Sequence, residues 1–152
     1  MINLKWIEVN IKCTPEISDD EYLTKYVLTI LNKCRSKCES WHFLWEGKPW
    51  PNTLMLRFFG DDEKIDDIKE ILEEELKDVC HCYGEHGDCG EDKEYKGEAD
   101  VWGTKIWERG IKFMEFGSDF ALELIKTKIN SEKVANINIT LFIVQIDIRI
   151  FF

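Results

Sequence analysis

Residues Trp41–Phe59 read WHFLWEGKPWPNTLMLRFF, and how this stretch folds decides the rest of the chain. Two short runs rich in aromatic and branched residues, Trp41–Trp45 and Leu54–Phe59, read as strands. Gly47, Pro49 and Pro51 between them cannot continue a hydrogen-bonded ladder, so they mark a turn. Arg57 stands alone as a cation on the second strand. A buried, unpaired guanidinium is very costly, which leaves two readings. Either the strand lies at a sheet edge and Arg57 faces water, or Arg57 belongs to an anion-binding pocket.

Outward from the hairpin, Leu4–Ile11 reads as a strand apolar on both sides. Ser18 followed by Glu21 is a capping box. Behind it Leu23, Tyr26, Val27, Ile30, Leu31 and Cys34 keep helical spacing, predicting a first helix that ends near Cys38. A second helix opens at Asp61 or Asp62, with acids complementing its dipole. Ile65, Ile68, Leu72, Leu76 and Val79 form its apolar stripe. Cys80–Asp92 reads as an exposed loop and Glu94–Val101 as an irregular strand. A third helix covers about Thr104–Ile129, with Trp107, Ile111, Met114, Ala121 and Ile125 along one side. Gly110 and Gly117 weaken it, by about 1 kcal/mol each relative to alanine, and place a kink near Gly117–Ser118. Ala135–Phe152 reads as one long strand.

The order β-α-β-β-α-β is the ferredoxin-like arrangement, an α+β fold, here with an added third helix and a C-terminal strand. At 152 residues, without repeat or linker, residues 1–152 form a single domain. Left at an edge, the last strand would invite aggregation, so it should pair inside the sheet or across a homo-oligomer.

Composition narrows the function. A 44% hydrophobic and 33% charged chain is ordinary for a globular protein. The single glutamine and the Lys, Glu and Ile richness lean towards a thermophile. A formal net charge of −10 without a Lys/Arg cluster excludes a nucleic-acid partner. The N-terminus lacks the charged-then-apolar order of a signal peptide. The C-terminal run is interrupted by Gln145, Asp147 and Arg149 and is too short and charged for a bilayer. No membrane partner is therefore expected, and the default location is cytoplasmic.

Cys80, His81, Cys82, His86 and Cys89 crowd one Gly-rich stretch. Thiolate and imidazole are zinc's preferred ligands, so Cys80, Cys82, His86 and Cys89 are the candidate metal set. Their spacing is not paired Cys-x-x-Cys, and free thiols or a disulfide are the alternatives. Cys34 and Cys38 share a helix face and read as packing. No phosphate loop, metalloprotease pair or nucleophile elbow is present, and no organic cofactor is expected. Trp50, Trp102 and Trp107 fit either a binding cleft or a core.

Taken together, three stretches bring a family into view. WHFLWEGKPWPNTLMLRF, followed by an acidic helix, resembles the "Phe-Ile-Arg-Tyr … Asp-Pro-x-Pro-His-Leu-Arg-Leu-Arg-Phe" signature of the thiopeptide-type bacteriocin biosynthesis domain. That domain is also the C-terminal, glutamate-eliminating domain of lantibiotic dehydratases. YKGEADVWGT (Tyr95–Thr104) is similar to the family's "Tyr-Glu-Pro-Glu-x-x-Arg-Tyr-Gly-Gly". FMEFGSDFALELI (Phe113–Ile125) resembles its helix with "Phe-x-x-Asp-Ser", Ser118 falling in the serine place. The resemblance spans about Leu4–Ile129.

It implies a cleft between the hairpin, Tyr95–Gly103 and the start of the third helix, taking a peptide or small anionic group. Arg57 would hold the anion and Glu98 would orient it or act as base. Tyr95, Trp102, Trp50 and Ser118 would contact the ligand. The departures are specific. Met55 stands where the family has a first arginine, Asn52 or Thr53 where it has histidine, and Val101 where it has a later arginine. Eliminating a glutamyl ester needs cations around the leaving carboxylate and a base for the α-proton. The fold thus carries over further than the activity. The readings left open are a divergent elimination or cycloaddition relative, a non-enzymatic binding module on the same fold, and a metal- or thiol-based protein using Cys80–Cys89.

Overall fold

The structure is a computed structural model, described here for residues 3–46, 52–90 and 93–126. The turn carrying Trp50 and the expected C-terminal strand, with any oligomer built on it, lie outside these residues.

Alternation builds the sheet. β1 (Leu4–Lys12) is central and pairs antiparallel with β3 (Thr53–Asp61), which pairs in turn with β2 (Ser40–Glu46). On its other side β1 pairs with β4 (His81–Glu85), and β4 turns back as β5 (Asp88–Cys89). The order β2-β3-β1-β4-β5 puts β3 between the two ends of the first β-α-β unit, the mark of the ferredoxin-like fold. This also corrects the edge-strand reading of Arg57. β3 is an inner strand, and Arg57 is 1% exposed.

One sheet face is apolar: Ile7, Val9 and Ile11 lie beside Phe58, Leu56 and Leu54, with Trp41 and Phe43 from β2. It packs on two helical segments that lie side by side. The first comprises α1 (Asp19–Glu21), a π-helical turn (Tyr22–Val27) and α2 (Leu28–Cys34). Ser18 starts it by accepting from the Glu21 N–H at 3.2 Å, as the capping box requires. The wider π turn sets Tyr22, Leu23, Tyr26 and Val27 all into the core. The helix stops at Cys34, short of the expected Cys38, because Arg35–Lys37 close it as a turn. The second is α3 (Asp62–Glu75). Asp61 caps it, and Ile65, Ile68 and Leu72 face inward, with Leu76 just beyond its end.

Two local readings change. Cys80–Asp92 is not a loop: its first part completes the sheet as β4 and β5. The β4–β5 turn is two residues, His86 (φ 52°) and Gly87 (φ 82°). Positive φ at both is what a type I′ hairpin demands. Glu94–Val101 is not a strand. Residues 93–98 run without a ladder partner, and α4 (Ala99–Trp102) follows as one short turn.

α5 (Thr104–Lys126) runs unbroken through Gly110 and Gly117. It covers the outer edge of β2, where a bare strand would expose main-chain groups. The Phe43 N–H donates to Ser118 Oγ at 3.1 Å, Trp41 Nε1 donates to Asp119 at 3.1 Å, and Ser40 Oγ donates to Glu115 at 3.0 Å. Ala121 and Leu122 join the main core, and Trp107 reaches the opposite sheet face. Among the described residues no helix is long and apolar enough to cross a membrane.

Candidate functional site

The second sheet face is polar, which is unusual for a buried surface. Strand alternation lines up Trp6, Glu8, Asn10 and Lys12 on it. Register then places Glu8, Arg57 and His42 in one row across β1, β3 and β2. All three are buried.

Arg57 organises this row. Its Nε donates to Glu8 Oε2 at 2.7 Å. Nη1 lies 3.5 Å from Glu98 Oε1, and Nη2 is 3.3 Å from His86 Nδ1. A guanidinium can only donate, so Nδ1 must accept and the His86 proton sits on Nε2. The Tyr95 ring stacks on the guanidinium, 3.9 Å from Cζ to centroid. Glu8's other oxygen accepts from the Gly87 N–H at 2.9 Å. The β4–β5 turn is thereby tied down over the sheet, and Lys12 Nζ adds a 2.9 Å bond to the Gly87 carbonyl.

Aromatics wall the row. Trp6 touches His42, Phe59, Tyr95 and Trp107. Gly97 (φ 80°) passes so close that an added Cβ would sit 3.0 Å from Trp6 Nε1 and 3.1 Å from Trp107 Nε1. Trp102 Nε1 donates to Glu98 Oε2 at 2.7 Å, fixing that carboxylate at the rim. Burial holds His42 well below the ordinary histidine value, and the neighbouring guanidinium adds to the effect. Burial likewise pushes the Tyr95 phenol up. Among the described residues the Asn10 side-chain amide, both His42 nitrogens, Arg57 Nη1 and the Tyr95 hydroxyl have no hydrogen-bond partner.

Of the residues singled out in the sequence, the structure brings Arg57, Glu98, Tyr95 and Trp102 together, with His86 among them. Ser118 lies apart, serving the β2 edge. Cys82 and Cys89 form a disulfide with 5.7 Å between Cα atoms. Cys80 is an exposed free thiol, and His81 Nδ1 donates to the Val79 carbonyl at 2.8 Å. Paired in this way, Cys82 and Cys89 are not thiolates, so the four-ligand zinc set Cys80, Cys82, His86 and Cys89 would need that bond reduced. Among the described residues no group of three or more His, Cys, Asp or Glu is arranged to hold a metal. Cys34, its thiol pushed up to about 12 by burial, packs in the core. Glu8 and His42 are site residues that no motif in the sequence singles out. The signal was available, since a carboxylate in a mostly apolar strand is the partner a buried arginine requires.

No family model and no curated protein matches the chain. Among solved structures it resembles the crystal structure of TsrL, with a TM-score of 0.52 and 16% identity. The match covers 82% of this chain and 35% of TsrL, so the chain spans about a third of that protein's length. At this identity the likeness is one of fold.

Proposed function

We infer that this chain is a peptide-binding module on a fold shared with peptide-modifying proteins, with the Arg57 cluster serving as its framework. One line supports the peptide as ligand class: the hairpin and Tyr95–Thr104 resemble the thiopeptide-type bacteriocin domain. One observation favours binding over elimination: Arg57 already faces Glu8 and Glu98, two carboxylates on one buried guanidinium. A leaving glutamate would be a third carboxylate. To reach the cation it must break a buried ion pair, which costs several kcal/mol, on the order of 3–5. An incoming anion meets net negative charge instead of the cationic surround that elimination requires.

The test is a synthetic peptide carrying an O-glutamyl serine ester. It is expected to change tryptophan fluorescence saturably while glutamate appears no faster than in buffer. Catalysed glutamate release that Glu98→Gln abolishes would establish elimination and overturn this reading.

A further inference from the structure

We propose that Cys82 and Cys89 are a redox-active pair: a dithiol reductant opens their disulfide and so releases the His86–Gly87 turn from the Arg57 cluster. The proposal goes beyond the binding reading above, and testing it needs no ligand.

The pair closes a hairpin that little else holds. β5 has two residues in the ladder, with Gly84 opposite Cys89 and Glu85 opposite Asp88. Among the described residues it is the last strand of the sheet, bonded to β4 alone. Strand pairing this short is marginal by itself. β4 is secured differently. It pairs with β1 at Ile11, Asn10 and Val9, and Tyr83 packs against the main core. Neither Cys82 nor Cys89 belongs to that core. Breaking their bond therefore frees β5 and the turn while β4 and the core stay in place.

The turn is what the bond positions. Asn10 lies opposite Cys82, so strand alternation puts Cys82 on the polar face that carries Glu8 and Lys12. The Gly87 N–H reaches Glu8 Oε1 at 2.9 Å, and the Gly87 carbonyl accepts from Lys12 Nζ at 2.9 Å. The turn extends past β1, since a Cβ added to Gly87 would sit 3.7 Å from Met55 Sδ on β3. His86 Nδ1 lies 3.3 Å from Arg57 Nη2, and its ring meets Tyr95 edge-on with centroids 5.6 Å apart. All these contacts come from two residues between the paired cysteines, which are seven positions apart. A covalently closed loop of that length has few conformations open to it, and an unclosed one has many. The two redox states thus hold the cover over Glu8 and Arg57 with different firmness.

The chemistry needs only the reductant. One thiolate of the dithiol attacks a sulfur of the pair, the S–S bond breaks, and its electron pair leaves on the other cysteine, which takes a proton. The second thiol of the reductant then displaces the attacked cysteine, which also takes a proton, and the reductant departs as a disulfide. Two electrons and two protons pass from the dithiol to the pair. The reduced state finds a partner inside the fold. Beside Cys82, the buried Asn10 side-chain amide has no hydrogen-bond partner among the described residues. A Cys82 thiol can donate to its oxygen or accept from its nitrogen.

The test compares the air-oxidised full chain with and without millimolar dithiothreitol under native conditions. Thiols counted after denaturation should number four before reductant, the free Cys13, Cys34, Cys38 and Cys80, and rise by two after it. Amide exchange followed by NMR is expected to speed up about tenfold or more at Gly87 and to stay unchanged at Leu56 in the core. Reoxidation should restore the slow Gly87 amide. Cys82→Ser/Cys89→Ser should match the reduced chain without any reductant, and Cys80→Ser should respond as the parent does. A Gly87 amide that stays protected after both thiols are released would overturn the proposal. So would acceleration of Leu56 together with Gly87, which would make the bond a staple of the whole fold. A thiol count that dithiothreitol leaves unchanged would equally contradict a redox-active pair. None of these readouts involves a ligand, so the glutamyl-ester titration judges the binding reading separately.

Discussion

Arg57→Met is expected to cost about 3–5 kcal/mol of folding stability, read from urea unfolding of the ligand-free chain. Glu8 has no side-chain exposure, and its 2.7 Å bond from Arg57 Nε is what compensates its charge. Removing the guanidinium leaves that carboxylate with the Gly87 N–H, and strands Glu98 beside His86. The loss comes from the orphaned partner, not from the worth of the pair. The double variant Arg57→Met/Glu8→Gln should therefore recover much of the stability, since both charges then leave the interior. If Arg57→Met were as stable as the parent, Arg57 would be a cation held in reserve for a ligand, and the framework reading would fail.

Acid is expected to weaken the fold through His42. This imidazole is fully buried, its ring nitrogens have no partners, and its neighbours across the strands are the Arg57 guanidinium and the Trp6 ring. Burial first, and then the guanidinium, keep it neutral well below the usual histidine range near 6.5. In the unfolded chain the same ring takes up a proton as pH falls past that value. The unfolded state then binds more protons than the native state, so stability is full above about pH 6.5 and is lost on descent. The slope is about 1.4 kcal/mol per pH unit for this residue alone, continuing until the native ring protonates. Carboxylates titrate in the same range, so the difference between parent and His42→Leu isolates the effect. The two unfolding curves should diverge between pH 6.5 and 5. Parallel curves would mean that the buried imidazole is already charged or reaches solvent.

The fold was legible where local chemistry and pattern agreed. Gly47, Pro49 and Pro51 delimit the hairpin, Ser18 and Asp61 announce the helix starts, and the apolar stripes of both core helices point inward as their spacing predicts. The β4–β5 hairpin was hidden because its turn carries His86 where asparagine would usually signal positive φ. The surrounding cysteines and histidines also read as a metal-ligand set. α4 was hidden because what shapes it is the Trp102–Glu98 bond between Gly97 and Gly103, a side-chain effect that strand propensity does not register.

The site was half legible. Arg57, Tyr95, Glu98 and Trp102 were marked by the family resemblance, and they do converge. Whether Arg57 faced water depended on what covers the second sheet face. That cover comes from the His86–Gly87 turn and residues 93–98, about thirty to forty positions further along the chain. A period of two along a strand says which residues share a face, and nothing about whether that face is roofed. Ser118 shows the opposite case. A motif position suggested a ligand contact, whereas its hydroxyl accepts from an edge-strand amide that would otherwise be bare.

The central claim is that the Arg57 guanidinium is spent inside the fold. Its Nε–H can be observed directly by NMR hydrogen exchange in the ligand-free chain. The structure predicts a slowly exchanging Nε–H, protected by the Glu8 carboxylate and unmoved when glutamate or phosphate is added. An Nε–H that exchanges as fast as a solvent-exposed arginine, and shifts saturably with either anion, would contradict it.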